Sequence, residues 1–138
     1  TKKMSKSDAS DLSRINLTDG NDEILNKIKK AKTDPLPMPE EIKDLNKRPE
    51  AENLLGIYSS LNNQTLENSV IEFSGKQFSE FKEKLSESLI EKIQPISKEI
   101  KKLINEEKYL DEVLSKGSEK ADKIASKKIK EIKELVGF

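Results

Sequence analysis

The sequence predicts an all-α protein, an antiparallel helical bundle preceded by a loop-rich segment. Three observations carry that reading. Lys, Glu, Leu, Ile and Ser dominate, and no stretch sustains the period-2 alternation of a half-buried strand. Apolar residues recur instead at steps of three and four, the period of a helix face. Gly and Pro punctuate the chain at Gly20, Pro35, Pro37, Pro39, Pro49, Gly56, Gly75, Pro95, Gly117 and Gly137, leaving helix-sized pieces between them.

Each element can be justified in turn. Residues 22–32 place Ile24, Leu25, Ile28 and Ala31 on one face, with Asp19 or Asn21 as the expected cap and Asp22 and Glu23 in the first turn. The Pro-Leu-Pro-Met-Pro run from Pro35 to Pro39 is expected to be an extended, semi-rigid spacer. Pro49 suits the first position of a helix whose inner stripe is Ala51, Leu54, Leu55, Tyr58 and Leu61, and which Asn62 and Asn63 should end. Thr65 can cap a short helix bearing Leu66, Val70 and Ile71.

The longest stripe follows. Ser74 and Gln77 have capping-box spacing, and Phe73 and Phe78 that of a hydrophobic staple. From there Phe78, Phe81, Leu85, Leu89, Ile93, Ile96, Ile100 and Leu103 line one face, with Pro95 expected to kink or split the helix. A shorter helix carries Tyr109, Leu110, Val113 and Leu114 and should stop at Gly117. Ser118 should open the last helix, with Ala121, Ile124, Ala125, Ile129, Ile132 and Leu135 inward. The expected organisation is a loop and turn over 1–20, a linking helix and Pro-rich spacer over 21–47, and the bundle over 48–138. Residues 1–40 hold fewer apolar anchors and are expected to need another surface to pack on.

Composition narrows the chemistry. The 138 residues contain no Cys and no His, which excludes disulfides, thiolate or imidazole metal sites, a cysteine nucleophile and a Ser-His-Asp triad. No apolar run is long enough to span a membrane, and no metal site is expected. The chain opens on Thr1, without a Met or an apolar leader, so a signal peptide is not expected and a fragment or processed chain is. Lys and Arg number 26 and Asp and Glu 26, so the chain is neutral overall and no general polyanion binder; DNA is not an expected partner.

The residues that carry chemistry stand at the front: Lys3, Met4, Ser5, Lys6 and Ser7. Two ammonium groups three residues apart, with hydroxyls between and after them, suit a loop that closes over a triphosphate. Lys serves there as a compact point charge on a flexible stem, neutralising charge that builds on a pyrophosphate leaving group. Ser5 and Ser7 can donate to phosphate oxygens, and Asp8 or Ser10 can cap the next turn. On composition alone, the same five residues also fit a solvated terminus.

Lys3-Met4-Ser5-Lys6-Ser7 is identical to the signature loop of class I aminoacyl-tRNA synthetases. The run from Ser13 to Asp19 follows it at the spacing of bacterial and organellar tryptophanyl-tRNA synthetases. Arg48-Pro49-Glu50-Ala51-Glu52-Asn53-Leu54-Leu55-Gly56-Ile57-Tyr58 resembles the same family's next block. Gly75, Phe78, Phe81 and Lys82 fit another, and Gly117, Ala121, Ala125 and Val136-Gly137-Phe138 resemble its C-terminal helix. The resemblance runs in order through essentially the whole chain.

That resemblance implies the C-terminal portion of an enzyme whose Rossmann-like catalytic half lies outside this chain. The parent would activate tryptophan with ATP and Mg²⁺ and transfer it to tRNA(Trp), as a homodimer in a bacterial cytoplasm or an organelle matrix. Lys6, with Lys3, would bind the ATP phosphates, and Met4, Ser5 and Ser7 would shape the loop. The helical part would meet the anticodon arm, with Lys116, Lys120, Lys127 and Lys128 as candidate contacts. The isolated chain would be inactive and would not hold ATP tightly. Arg14 and Asp19 are expected to fix the loop to the helices, Asn53 to make an internal hydrogen bond, and Tyr58 and Tyr109 to be core-edge aromatics. The alternative is a stand-alone helical interaction module with a fortuitous signature.

Overall fold

A computed structural model describes residues 10–137. Among them the chain is all-α, with no strand: α1 (Asn21–Lys30), α2 (Pro49–Leu61), α3 (Leu66–Phe73), α4 (Phe78–Asn105) and α5 (Glu107–Val136), plus 3-10 turns at Asp11–Ser13 and Ile42–Lys47. Two compact units result, Thr1–Lys98 and Glu99–Phe138. No described helix is long and apolar enough to cross a membrane.

The first unit is built around an aromatic centre. Phe73 and Phe81 are almost wholly buried, and their ring centroids lie 4.9 Å apart, edge to face. Tyr58 meets both, at 4.9 Å and 5.9 Å. Each such pair adds about 0.5–1.5 kcal/mol beyond the area it buries. Around the rings pack Leu54 and Leu55 of α2, Val70 of α3 and Leu85, Leu89 and Ile93 of α4. Small hydroxyls let α2 and α3 approach closely: Ser59 Oγ donates to the Leu55 carbonyl at 2.7 Å and lies 2.7 Å from Ser69 Oγ.

The core also takes Ile24 and Ile28 from α1, Met38 from the Pro-rich run and Leu45 from the second 3-10 turn. Met38, only 2% exposed, donates its N–H to the Lys76 carbonyl at 2.8 Å and accepts from Gly75 N–H at 3.3 Å. Arg48 closes a fork on Asp34, with Nε at 2.9 Å and Nη2 at 2.7 Å from its carboxylate oxygens, and stands over the Phe78 ring. The expected spacer is therefore a strap fastened to the core. Leu25, expected inward, is 43% exposed.

Several element ends differ from expectation. Gly20 rather than Asp19 or Asn21 caps α1, and Glu23 accepts its N–H at 2.7 Å; Asp19 is engaged elsewhere. Ser74 ends α3 instead of opening α4, because Gly75 turns left-handed (φ 68°) directly after it. Thr65 does cap α3, accepting the Asn68 N–H at 3.2 Å, and Asn62 and Asn63 do end α2.

Pro95 does not split α4, which stays one helix of 28 residues. Proline there removes one backbone bond, to the carbonyl of exposed Glu91, which water can satisfy. The burial of its stripe stops at Ile93, and Ile96 is 45% exposed.

The second unit corrects two expectations. Gly117 does not end a helix: α5 runs unbroken through it, and Gly137, at φ 82°, is the left-handed cap. A glycine costs about 1 kcal/mol inside a helix, too little to stop one whose nearby residues include the helix formers Lys116, Glu119 and Lys120. The stripe expected inward is also uncovered, with Ile124 75% and Leu135 86% exposed and no residue of α5 buried. A unit made of one long helix and the last turns of another offers nothing to bury that face against.

Candidate functional site

The predicted loop, Lys3, Met4, Ser5, Lys6 and Ser7, lies outside the described residues, as does Asp8. What is described is the segment by which that loop joins the helices. Asp11 opens a 3-10 turn in which Ser10 Oγ accepts the Leu12 N–H at 3.4 Å. The chain then turns again at Asn16, whose carbonyl accepts the Asp19 N–H at 3.1 Å and whose own N–H donates to Asp19 Oδ2 at 2.8 Å. The Asn16 amide also donates to both oxygens of Asp11, at 3.2 Å each, and to Asp19 Oδ1 at 3.1 Å.

One ammonium closes this arrangement. Lys27 of α1 donates to Asp11 Oδ2 at 2.5 Å and to Asp19 Oδ2 at 2.6 Å. Lys27 and Asp19 are buried, whereas the Asp11 side chain is about half exposed and also pairs with Arg14 Nε at 2.8 Å. The two acids and two bases sum to zero.

Each ionisation state is held by its partners. Burial alone would lower Lys27, but its hydrogen bonds to Asp11 and Asp19 outweigh it and raise the ammonium above its usual range. Burial alone would raise Asp19, and the bonds from Lys27 and Asn16 reverse that. Hydrogen bonds from Lys27 and then Asn16 lower Asp11.

A second lysine serves the same helix. Lys82 of α4 donates to the Ala31 carbonyl at 2.6 Å and the Lys29 carbonyl at 3.2 Å, placing a cation at the C-terminal end of α1. Burial lowers its pKa. A groove of about 780 Å³ lies between α1 and α4, lined in part by Leu25, Asn26, Lys29, Phe78 and Lys82.

The other sequence candidates separate clearly. Asp19 is brought into the anchor, and Arg14 reaches it through Asp11. Tyr58 is a core aromatic whose hydroxyl donates to Glu72 at 2.9 Å; burial and that carboxylate push its pKa up to about 12. Tyr109 is 52% exposed, so it is not a core residue. Asn53 is exposed on α2 rather than held in an internal hydrogen bond. Lys116, Lys120, Lys127 and Lys128 are all exposed on α5; Lys128 pairs with Glu131 at 2.8 Å. Lys27 was missed, although its place between Ile24 and Ile28 put it on the apolar stripe, where a charged residue needs a buried partner.

A family model described as tRNA synthetases class I (W and Y) matches residues 1–94, a span that holds the signature residues, the anchor and the aromatic core. The chain belongs to that family. A tryptophan–tRNA ligase of Agrobacterium fabrum is 49% identical over 100% of this chain and 39% of its own length. One of Caulobacter vibrioides is 46% identical over 99% of this chain and 40% of its own length. One of Rickettsia felis is 50% identical over 99% and 41%. This class I synthetase chain thus spans about two fifths of the length of the curated relatives it matches. The match removes the alternative in which Lys3–Ser7 is fortuitous.

Proposed function

We propose that this chain is the C-terminal portion of a tryptophan–tRNA ligase, contributing the ATP-phosphate loop within residues 1–20 and the helical anticodon-side part. The observation that carries the reading is 49% identity to a tryptophan–tRNA ligase along the entire chain. In the whole enzyme, the tryptophan carboxylate attacks the α-phosphate of ATP and pyrophosphate leaves. Lys6 and Lys3 neutralise the charge gathering on that leaving group, Ser5 and Ser7 donate to its oxygens, and Met4 shapes the loop. The tryptophanyl group then passes to tRNA(Trp).

Mg²⁺ is assigned to the phosphates of ATP itself. The enzyme is a homodimer and works in a bacterial cytoplasm. The chain by itself is inactive, because tryptophan recognition and nucleotide orientation belong to the Rossmann-like half.

The test is Lys6→Ala in the complete ligase. Tryptophan-dependent ATP–pyrophosphate exchange is expected to fall by a factor on the order of 10²–10³ while tryptophan affinity stays within about twofold. Equal losses in both would contradict the assigned role.

A further inference from the structure

Two carboxylates on the front segment converge on one side chain of α1. Asp11 and Asp19 each accept from the Lys27 ammonium, and Asn16 bridges the two carboxylates. Lys27 is the one buried cation among the described residues. Burying an ammonium is costly, and replacing a whole buried ion pair by apolar side chains of similar volume is often neutral or stabilising, so such a pair is weak evidence of a purely stabilising role. Packing alone would be served by Met or Leu at this place in the Ile24–Ile28 stripe with an uncharged residue at position 19. What an ammonium with two acceptors does that Met cannot is fix the register of one segment against another.

The segment it fixes leads straight from the signature loop. Ser7 and Asp11 are four residues apart, so the chain between them spans no more than about 14 Å. Asp11 gains little burial from the contact, its side chain being 48% exposed, so its place in the cluster serves position more than packing.

On the ligase reading above, we infer that Lys27 is a positioning residue for tryptophan activation: clamped between Asp11 and Asp19, it sets where the Lys3–Ser7 loop leaves the helical domain. It touches no substrate. It acts through Asp11, which follows Ser7 by four residues in the sequence.

The test compares Lys27→Met and Lys27→Arg in the complete ligase, with active-site concentration titrated and tryptophan binding measured separately. Displacing a reacting group by about 1 Å can cost on the order of a hundredfold in rate. Lys27→Met is expected to lower the exchange rate at least about tenfold with tryptophan affinity unchanged, and Lys27→Arg to restore most of it. Amide hydrogen exchange over residues 10–20 is expected to accelerate in Lys27→Met alone. Lys27→Met with exchange within about twofold of wild type would overturn the inference, whatever its amide protection. Equal loss of exchange and tryptophan binding would overturn it too, marking a general structural defect. A wild-type enzyme with no exchange at all would instead sink the ligase reading, and the amide data would still decide whether Lys27 holds the segment.

Discussion

Helices α1 and α5 carry the same kind of text, Ile at helical spacing among Lys and Glu, and their apolar stripes meet different fates. In α1, Ile24 and Ile28 are 1% and 5% exposed; in α5, Ile124 and Ile129 are 75% and 53% exposed. Periodicity says that a helix has an apolar face. It does not say that anything covers it. Coverage comes from what the neighbouring chain supplies, and α1 has the Met38 strap and the aromatic centre within its own unit.

The largest expected effect lies at that centre. Phe81→Ala should cost about 3–5 kcal/mol in denaturant unfolding, because a fully buried ring leaves a cavity between Tyr58 and Phe73. Ile129→Ala on α5 should stay within about 0.5 kcal/mol. Similar costs for the two would show that the α5 stripe is covered in solution.

Next is the anchor. Lys27→Met leaves Asp19 buried without its cation and should cost about 3 kcal/mol. The pH dependence has a defined sign. Asp19 is held below its ordinary 3.8, so its contribution is present above that pH and disappears as pH falls through the lowered value. Lys27 is held above 10.5, so its contribution is present below that pH and disappears as pH rises through the raised value. The unfolding midpoint should therefore decline on both flanks, and Asp19→Asn should soften the acid one.

The glycines give the smallest effects, of opposite sign. Gly75→Ala forces a side chain into φ 68° and should destabilise by about 1 kcal/mol. Gly117→Ala meets nothing within 4 Å and should stabilise α5 by about 0.5–1 kcal/mol, read as a higher melting temperature of the helical signal.

The helices themselves were legible because their faces are written locally: Pro49 opens α2, Thr65 caps α3, and the stripe from Phe78 to Ile93 is buried. What could not be read depends on partners far along the chain. Met38 looks like part of a spacer until the turn at Gly75 and Lys76 supplies its hydrogen bonds. Ser74 looks like a beginning until Gly75 makes it an end. Asp19 looks like a cap until Lys27, eight residues on, claims it. Lys3–Ser7 lie outside the described residues, so the part of the candidate site that can be compared with the sequence is the cluster of Asp11, Asn16, Asp19 and Lys27. That cluster was the least legible element, because an ion cluster has no period.

The strap between α1 and α2 carries a mechanical consequence. It is riveted at Asp34 by a guanidinium fork and at Met38 by two backbone bonds. A connection so fastened has no slack. A pull transmitted along α1 toward α2 therefore works against the Arg48–Asp34 fork and the two Met38 backbone bonds before it reaches Pro49.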